Sequence, residues 1–136
     1  MNKMAILATV VVVANLAVAT IHGQAHVALG VGLDDWQTAF VRVVVVAAPI
    51  VSVVLYWTPL RDWGARLLAI SMLGALLFGI YYHLIAVSND HLGHLPEGDA
   101  RGLFTATALL LIPAEAVGAA FSFWSAWKLR GTRRQP

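Results

Sequence analysis

The sequence contains no cysteine, and this absence limits what the protein can do. Disulfide frameworks, thiolate metal sites and thiol catalysis are excluded. Methionine occurs only at positions 1, 4 and 72, so a thioether copper(I) site is not expected. A Walker loop, a nucleophile elbow, a dinucleotide fingerprint and a selectivity-filter signature are also missing, so common nucleotide and hydrolase chemistry is not supported.

Charged residues are scarce as well. They make up 12% of the 136 residues, whereas hydrophobic residues make up 60%. A soluble domain is about 25% charged and about 45–50% apolar, and a core of this size could not hide so much apolar surface. The lipid bilayer is therefore the predicted partner. The basic residues lie beside apolar runs and do not form a binding stripe, so nucleic acid is not expected to bind.

Four apolar segments are long enough to cross a membrane, which requires about 20 residues in a helix. They lie at roughly residues 4–23, 36–57, 65–87 and 102–128. Short polar turns separate them. We therefore predict an all-α, integral membrane four-helix bundle with up-down-up-down topology, in which residues 1–136 form a single transmembrane domain. The first segment resembles a signal peptide in composition, and we interpret it as a signal anchor.

Lysine and arginine predict the orientation of the bundle. Nine such residues are present, and only Arg42 and Arg101 lie near the ends of segments that would face outward. The other seven are Lys3, Arg61, Arg66, Lys128, Arg130, Arg133 and Arg134. Because basic residues are retained on the cytoplasmic side, we predict that both termini are cytoplasmic and that the protein is a multi-pass protein of the plasma (inner) membrane.

The histidines gather at the opposite, external side. They are His22, His26, His83, His91 and His94. His22 and His26 are four residues apart, so one helix face could point both imidazoles at the same ion. His83 continues a stripe of small residues with a spacing of four, which is typical of a helix–helix contact and predicts that His83 faces inward. The basic-residue rule does not explain this gathering, which favours a binding site.

Polar residues that could support such a site lie on the first, second and fourth segments and in the last external loop. Glu115 is roughly 20 Å from the external end of its helix and needs a partner or a polar channel, for which Arg42 and Asn15 are the candidates. Asp90 and Glu97 flank the His91-x-x-His94 sequence. We therefore predict a histidine–carboxylate metal site that opens to the external side, with the five histidines as ligands.

Imidazole and carboxylate ligands together suit Zn, Fe, Mn or Cu(II). The sequence leaves open whether such a protein handles the metal or uses it as a membrane metalloenzyme. One alternative is a haem-binding electron carrier in which His22 and His83 hold haem b. Another is a structural or assembly subunit whose small-residue faces pack on further copies or on other membrane subunits. Singly, each histidine could also be an ordinary interfacial or loop residue.

Overall fold

The computed structural model describes residues 2–132, with side chains through Arg130, so Arg133 and Arg134 lie outside the described part. Within it the chain is helical and contains no strand. Four helices are long and apolar enough to cross a membrane. We call them span 1 to span 4, and their bounds are Lys3–Leu29, Asp35–Tyr56, Arg61–Ile85 and Arg101–Arg130. The prediction of an all-helical chain with four membrane-length helices is confirmed.

The outer surface of the bundle is apolar. Ile70 is 69% exposed, Val117 is 63% exposed and Trp127 is 68% exposed. Apolar surface of this extent is not stable against water, so it indicates contact with lipid or with other protein. Inside, one apolar cluster surrounds Tyr56 and Leu68, near the end of the bundle where span 1 begins.

Span 1 is longer than the sequence indicated. The helix does not stop at Gly23 but continues to Leu29, where Gly30 adopts a left-handed conformation (φ 67°) and donates its N–H to carbonyls of the last turn. A glycine inside a helix destabilises it by only about 1 kcal/mol, which packing readily offsets. As a result, His22 and His26 lie on one uninterrupted helix face.

Span 2 contains a π-helical segment, Val41–Ala47, in which the N–H of Ala48 bonds the carbonyl of Val43 five residues earlier. The next carbonyl, that of Val44, would need an N–H at position 49, which is proline and has none. Ser71 of span 3 fills this gap, since its hydroxyl donates to the Val44 carbonyl at 2.6 Å. The hydrogen bond therefore joins spans 2 and 3 near the middle of the bundle.

The four spans pack around a ring, but one contact is incomplete. Span 4 packs on spans 1 and 3, and span 3 packs on span 2. Span 1 packs on span 2 mainly through Ala48–Tyr56, and hardly touches the preceding segments Asp35–Phe40 and Val41–Ala47. The bundle is thus open between spans 1 and 2 at the end where the histidines lie.

Candidate functional site

Three imidazoles and one carboxylate meet at this end of the bundle, which we call the histidine end. The ring of His22 lies 4.7 Å from that of His26 and 5.0 Å from that of His83, measured between centroids. Asp90 places one carboxylate oxygen 3.3 Å from a ring nitrogen of His26 and 3.3 Å from one of His83. We call these four residues the histidine cluster. His22, His83 and Asp90 are buried, and His26 is partly buried.

The loop after span 3 brings Asp90 into the cluster. Span 3 ends in a short π-helical segment, Tyr81–Ile85, which contains His83. The chain then doubles back, and the N–H of Leu92 donates to the carbonyl of His83 at 3.0 Å. His83 in turn donates from Nδ1 to the backbone carbonyl of Asp90 at 3.1 Å. These two hydrogen bonds hold the carboxylate of Asp90 beneath the loop.

The hydrogen-bond partners of His22 indicate which of its nitrogens carries the proton. The hydroxyl of Thr107 donates to the carbonyl of Leu103, one helical turn earlier, at 2.7 Å. Its oxygen is therefore an acceptor for His22, whose Nδ1 lies 2.9 Å away. A neutral imidazole has one N–H, so a proton on Nδ1 leaves the Nε2 of His22 with a bare lone pair.

The hydrogen-bond partner of His26 fixes its tautomer in the same way. Its Nδ1 lies 3.1 Å from the backbone carbonyl of Val31, which can only accept, so Nδ1 carries the proton. The Nε2 of His26 then also has a bare lone pair, and it stands 3.2 Å from the Nε2 of His22. Two lone pairs that face one another at this distance repel unless a cation, either a proton or a metal ion, lies between them.

The carboxylate of Asp90 adds a third electron-rich atom. Its Oδ1 is buried and has no hydrogen-bond partner, although it lies near both His26 and His83. Burial disfavours the charged form of Asp90, but the contact with His83 and the nearby charges of the cluster histidines outweigh burial and lower the pKa of Asp90 below its ordinary value of 3.8. Asp90 is therefore the anionic member of the cluster.

A cavity of about 360 Å³ adjoins the histidine cluster. Spans 1 to 4 all contribute to its walls, which are mainly apolar side chains such as Val45 and Leu111. Glu115 also lines this cavity, is only 4% exposed, and has no hydrogen-bond or ion-pair partner among the described residues. A cavity thus extends from the histidine end to Glu115, but its walls are mostly apolar, whereas the sequence predicted a polar channel.

The predicted ligand set is divided by the fold. His22, His26 and His83 come together, but His91 and His94 form a separate pair in the loop, with ring centroids 4.8 Å apart, and make no ring contact with the others. Of the five histidines, only His22, His26 and His83 belong to the cluster.

The five supporting residues are divided too. Asp90 joins the cluster, whereas Glu97 points outward and pairs with Arg101. Arg42 is exposed, and no ion pair between Arg42 and Glu115 forms. Asn15 is buried, but neither polar atom of its amide has a partner in the described structure. The expected pairing of Glu115 with Arg42 or Asn15 is therefore not observed.

Two residues that shape the site are absent from the set predicted from the sequence. Thr107 fixes the tautomer of His22, and the ring of Phe104 lies 4.6 Å from the rings of both His22 and His26. A signal for them exists, since Phe104, Thr107, Leu111 and Glu115 recur at steps of three or four along one face of span 4. The spacing does not show which neighbouring helix this face of span 4 contacts.

The cluster does not already have the geometry of a bound metal. Within the part of the chain that the structure describes, no group of three or more histidine, cysteine, aspartate or glutamate side chains has the arrangement that holds a metal ion. The donor atoms of the cluster approach one another in pairs and do not surround one common point. A metal would have to draw the donors together.

Comparison of the chain with protein-family models, with curated proteins and with solved structures found no match in any of the three.

Proposed function

We propose that this chain is an integral membrane metalloprotein that binds one transition-metal ion through His22, His26 and Asp90. The observation that carries the proposal is the convergence of two bare imidazole nitrogens and one unpartnered carboxylate oxygen. The two nitrogens are 3.2 Å apart, and the Asp90 oxygen is 3.3 Å from the His26 nitrogen. Donors bound to one tetrahedral metal at about 2.0–2.1 Å stand roughly 3.3–3.4 Å from one another.

The outer partners of the three donors support the same proposal. Protein ligands of metals usually have a second hydrogen bond that fixes their orientation and tautomer. Thr107 would do this for His22 and the Val31 carbonyl for His26, whereas His83 holds Asp90 in place through the backbone carbonyl of Asp90. His83 is thus a positioning residue in this proposal and not the direct ligand expected from the sequence. The donor set suits Zn, Fe, Mn or Cu(II).

Three protein donors beside a cavity leave one side of the ion accessible to a small molecule. Sites of this composition are typical of metals that act as Lewis acids or bind an exchangeable ligand, whereas purely structural zinc sites have four protein ligands. We therefore favour a metal that meets a small molecule in the cavity over a structural metal.

Haem is the second cofactor to consider, and the geometry favours it less. Two axial histidines must leave room for a porphyrin between their rings. The rings of His22 and His83 are only 5.0 Å apart and lie edge to face, and Phe104 packs against both. Binding of haem would need these spans to separate, whereas binding of a bare ion needs only side-chain adjustment.

Measurement of metal in the detergent-purified protein tests the proposal. We expect about one equivalent of metal per chain, and we expect His22→Ala or His26→Ala to lower the affinity by more than the roughly 10–100-fold that losing a supporting partner causes. Thr107→Val removes only the hydrogen-bond partner of His22, so it should lower the metal affinity by the smaller factor of roughly 10–100. Cobalt substitution gives a direct readout, since tetrahedral and octahedral cobalt(II) absorb differently.

The matched control is His94→Ala, because His94 is an exposed histidine of the surface pair. It should leave both metal content and the cobalt spectrum unchanged. Metal content that falls in His94→Ala, but not in His22→Ala or His26→Ala, would refute this ligand set, and a strong Soret band would favour haem instead.

We further propose that the protein lies in the plasma (inner) membrane with both termini in the cytoplasm and the histidine end outside. The support is the distribution of lysine and arginine described above. Because the chain has no cysteine, a single introduced cysteine is a unique label. We expect His94→Cys to react with a membrane-impermeant maleimide in intact cells and Leu60→Cys to react only after lysis. The reverse pattern would show that the orientation is inverted.

A structural or assembly role is the remaining alternative. Its support is the exposed apolar surface, which another membrane subunit or a second copy could cover. A protein that remains metal-free at every stage of purification, and whose cluster variants change nothing but complex formation, would favour this role.

A further inference from the structure

The cavity itself points to a ligand that the metal proposal does not account for. Its walls are mainly apolar, and three polar features interrupt them: the histidine cluster, Thr38 and Glu115. A cavity of about 360 Å³ is at the lower end of the range, roughly 300–1,000 Å³, in which proteins bind small molecules. It can hold one ring-sized head group but not a whole lipid.

The cavity opens sideways, between spans 1 and 2. Gly23 and Val27 of span 1 and Thr38 and Val41 of span 2 line it, and Val27 is 83% exposed. Spans 1 and 2 hardly touch along this stretch, as described above. In a bilayer this opening lies at the side of the bundle, so a molecule dissolved in lipid can enter without crossing water.

Glu115 determines what the head group must offer. A buried carboxyl group without a partner is strongly destabilising, and a ligand that donates a hydrogen bond relieves that penalty. Gly79 leaves the necessary space, because a Cβ at this position would lie 3.8 Å from a carboxyl oxygen of Glu115 and 3.9 Å from the ring of His83. A group the size of a methyl or a hydroxyl therefore fits between the carboxyl group and the imidazole.

The wall beside Gly79 favours a flat ring. Phe78 lines the cavity and stacks on Phe40 with centroids 4.7 Å apart, so its position is fixed by packing. Aromatic side chains bind planar rings through stacked or edge-to-face contacts. We infer that the cavity binds a lipid-soluble phenol or hydroquinone, which enters between spans 1 and 2, places its hydroxyl on Glu115 and leaves its apolar tail in the membrane.

The test uses a hydroquinone with a decyl chain as the probe, under anaerobic conditions, and the corresponding benzoquinone as its comparison. The thermal midpoint of the purified protein in detergent should rise and saturate with the hydroquinone. Glu115→Gln should weaken binding about tenfold, because the neutral amide oxygen accepts a weaker hydrogen bond from the hydroxyl than a carboxylate does. The benzoquinone, which has no hydroxyl to donate, should bind more weakly than the hydroquinone.

Gly79→Ala separates binding from folding. Its methyl group meets its neighbours at ordinary contact distances, so the fold should be intact, but it fills the gap between Glu115 and His83 and should weaken binding at least as much as Glu115→Gln. Gly102→Ala is the matched control, since a Cβ there has no atom within 4 Å, and Gly102 does not line the cavity. It should bind the hydroquinone as the unaltered protein does.

A shift that never saturates, or that is equal in all four proteins, would mean that the probe only partitions into the micelle, and would overturn the inference. Equal affinity for hydroquinone and benzoquinone would overturn the assignment of the hydroxyl to Glu115. The inference does not depend on the metal, so the titration is repeated after chelation. Binding that persists without metal would leave it intact even if the metal proposal fails.

Discussion

Gly64→Ala should destabilise the bundle more than any other single methyl group added at a glycine of spans 1 to 4. A Cβ at this position would lie 2.8 Å from the carbonyl oxygen of Ser52 and 3.0 Å from the backbone nitrogen of Tyr56. These are backbone atoms of span 2, so no side-chain rotation can relieve the overlap. Overpacking of this kind typically destabilises by about 1–3 kcal/mol, against a gain of roughly 1 kcal/mol in helix propensity.

The measurement is unfolding of the purified protein by increasing fractions of SDS, followed by circular dichroism. Gly102→Ala again serves as the control, because the added methyl group meets open space and should leave stability unchanged or slightly raised. The close packing of spans 2 and 3 would be contradicted by a Gly64→Ala protein that unfolds at the same SDS fraction as the control.

Asp90→Asn should abolish most of the proposed metal affinity while preserving the fold. The amide has the shape of the carboxylate but lacks its charge, and it replaces one of three donors. We expect a loss of at least about 100-fold, the upper end of what losing a supporting partner causes. Glu97→Gln is the matched control, because Glu97 is an exposed loop carboxylate outside the cluster.

Acid titration of the metal-free proteins gives an independent readout for Asp90. The folded protein lowers the pKa of Asp90 below 3.8, so its ionised form stabilises the fold above that pH. This contribution is lost as the pH falls through the folded pKa. The ionisation of Asp90 itself should therefore change the stability difference between the unaltered protein and Asp90→Asn only below pH 3.8. A change near neutral pH would come from the histidines in contact with Asp90, which lose their anionic partner in Asp90→Asn.

How far the sequence predicts the site differs from residue to residue. The spacing of His22 and His26 placed both on one helix face, and the small-residue stripe before His83 predicted that it faces inward; the structure shows both. The same reasoning grouped His91 with them, since all lie at the same end of the bundle. The sequence shows at which end of the bundle a residue lies. It does not show which helices a loop residue contacts there.

The partner of Glu115 shows the same limit. Depth in the membrane predicted that Glu115 needs a polar neighbour, and Arg42 lies at a suitable position along span 2. The structure leaves Arg42 exposed within the π-helical segment Val41–Ala47, and Val41 and Val45 line the cavity instead. Each residue that a π-helical turn adds rotates the following side chains around the helix axis. A prediction based on 3.6 residues per turn does not include this rotation.

The sequence by itself determined that the chain forms four long apolar helices, because hydrophobic length and the spacing of polar turns are local properties. Only the tertiary structure decided that Asp90 and not His91 meets the imidazoles, that Thr107 and Val31 orient two of them, and that a cavity opens between spans 1 and 2. These features depend on contacts between residues far apart in the chain, which no local pattern encodes.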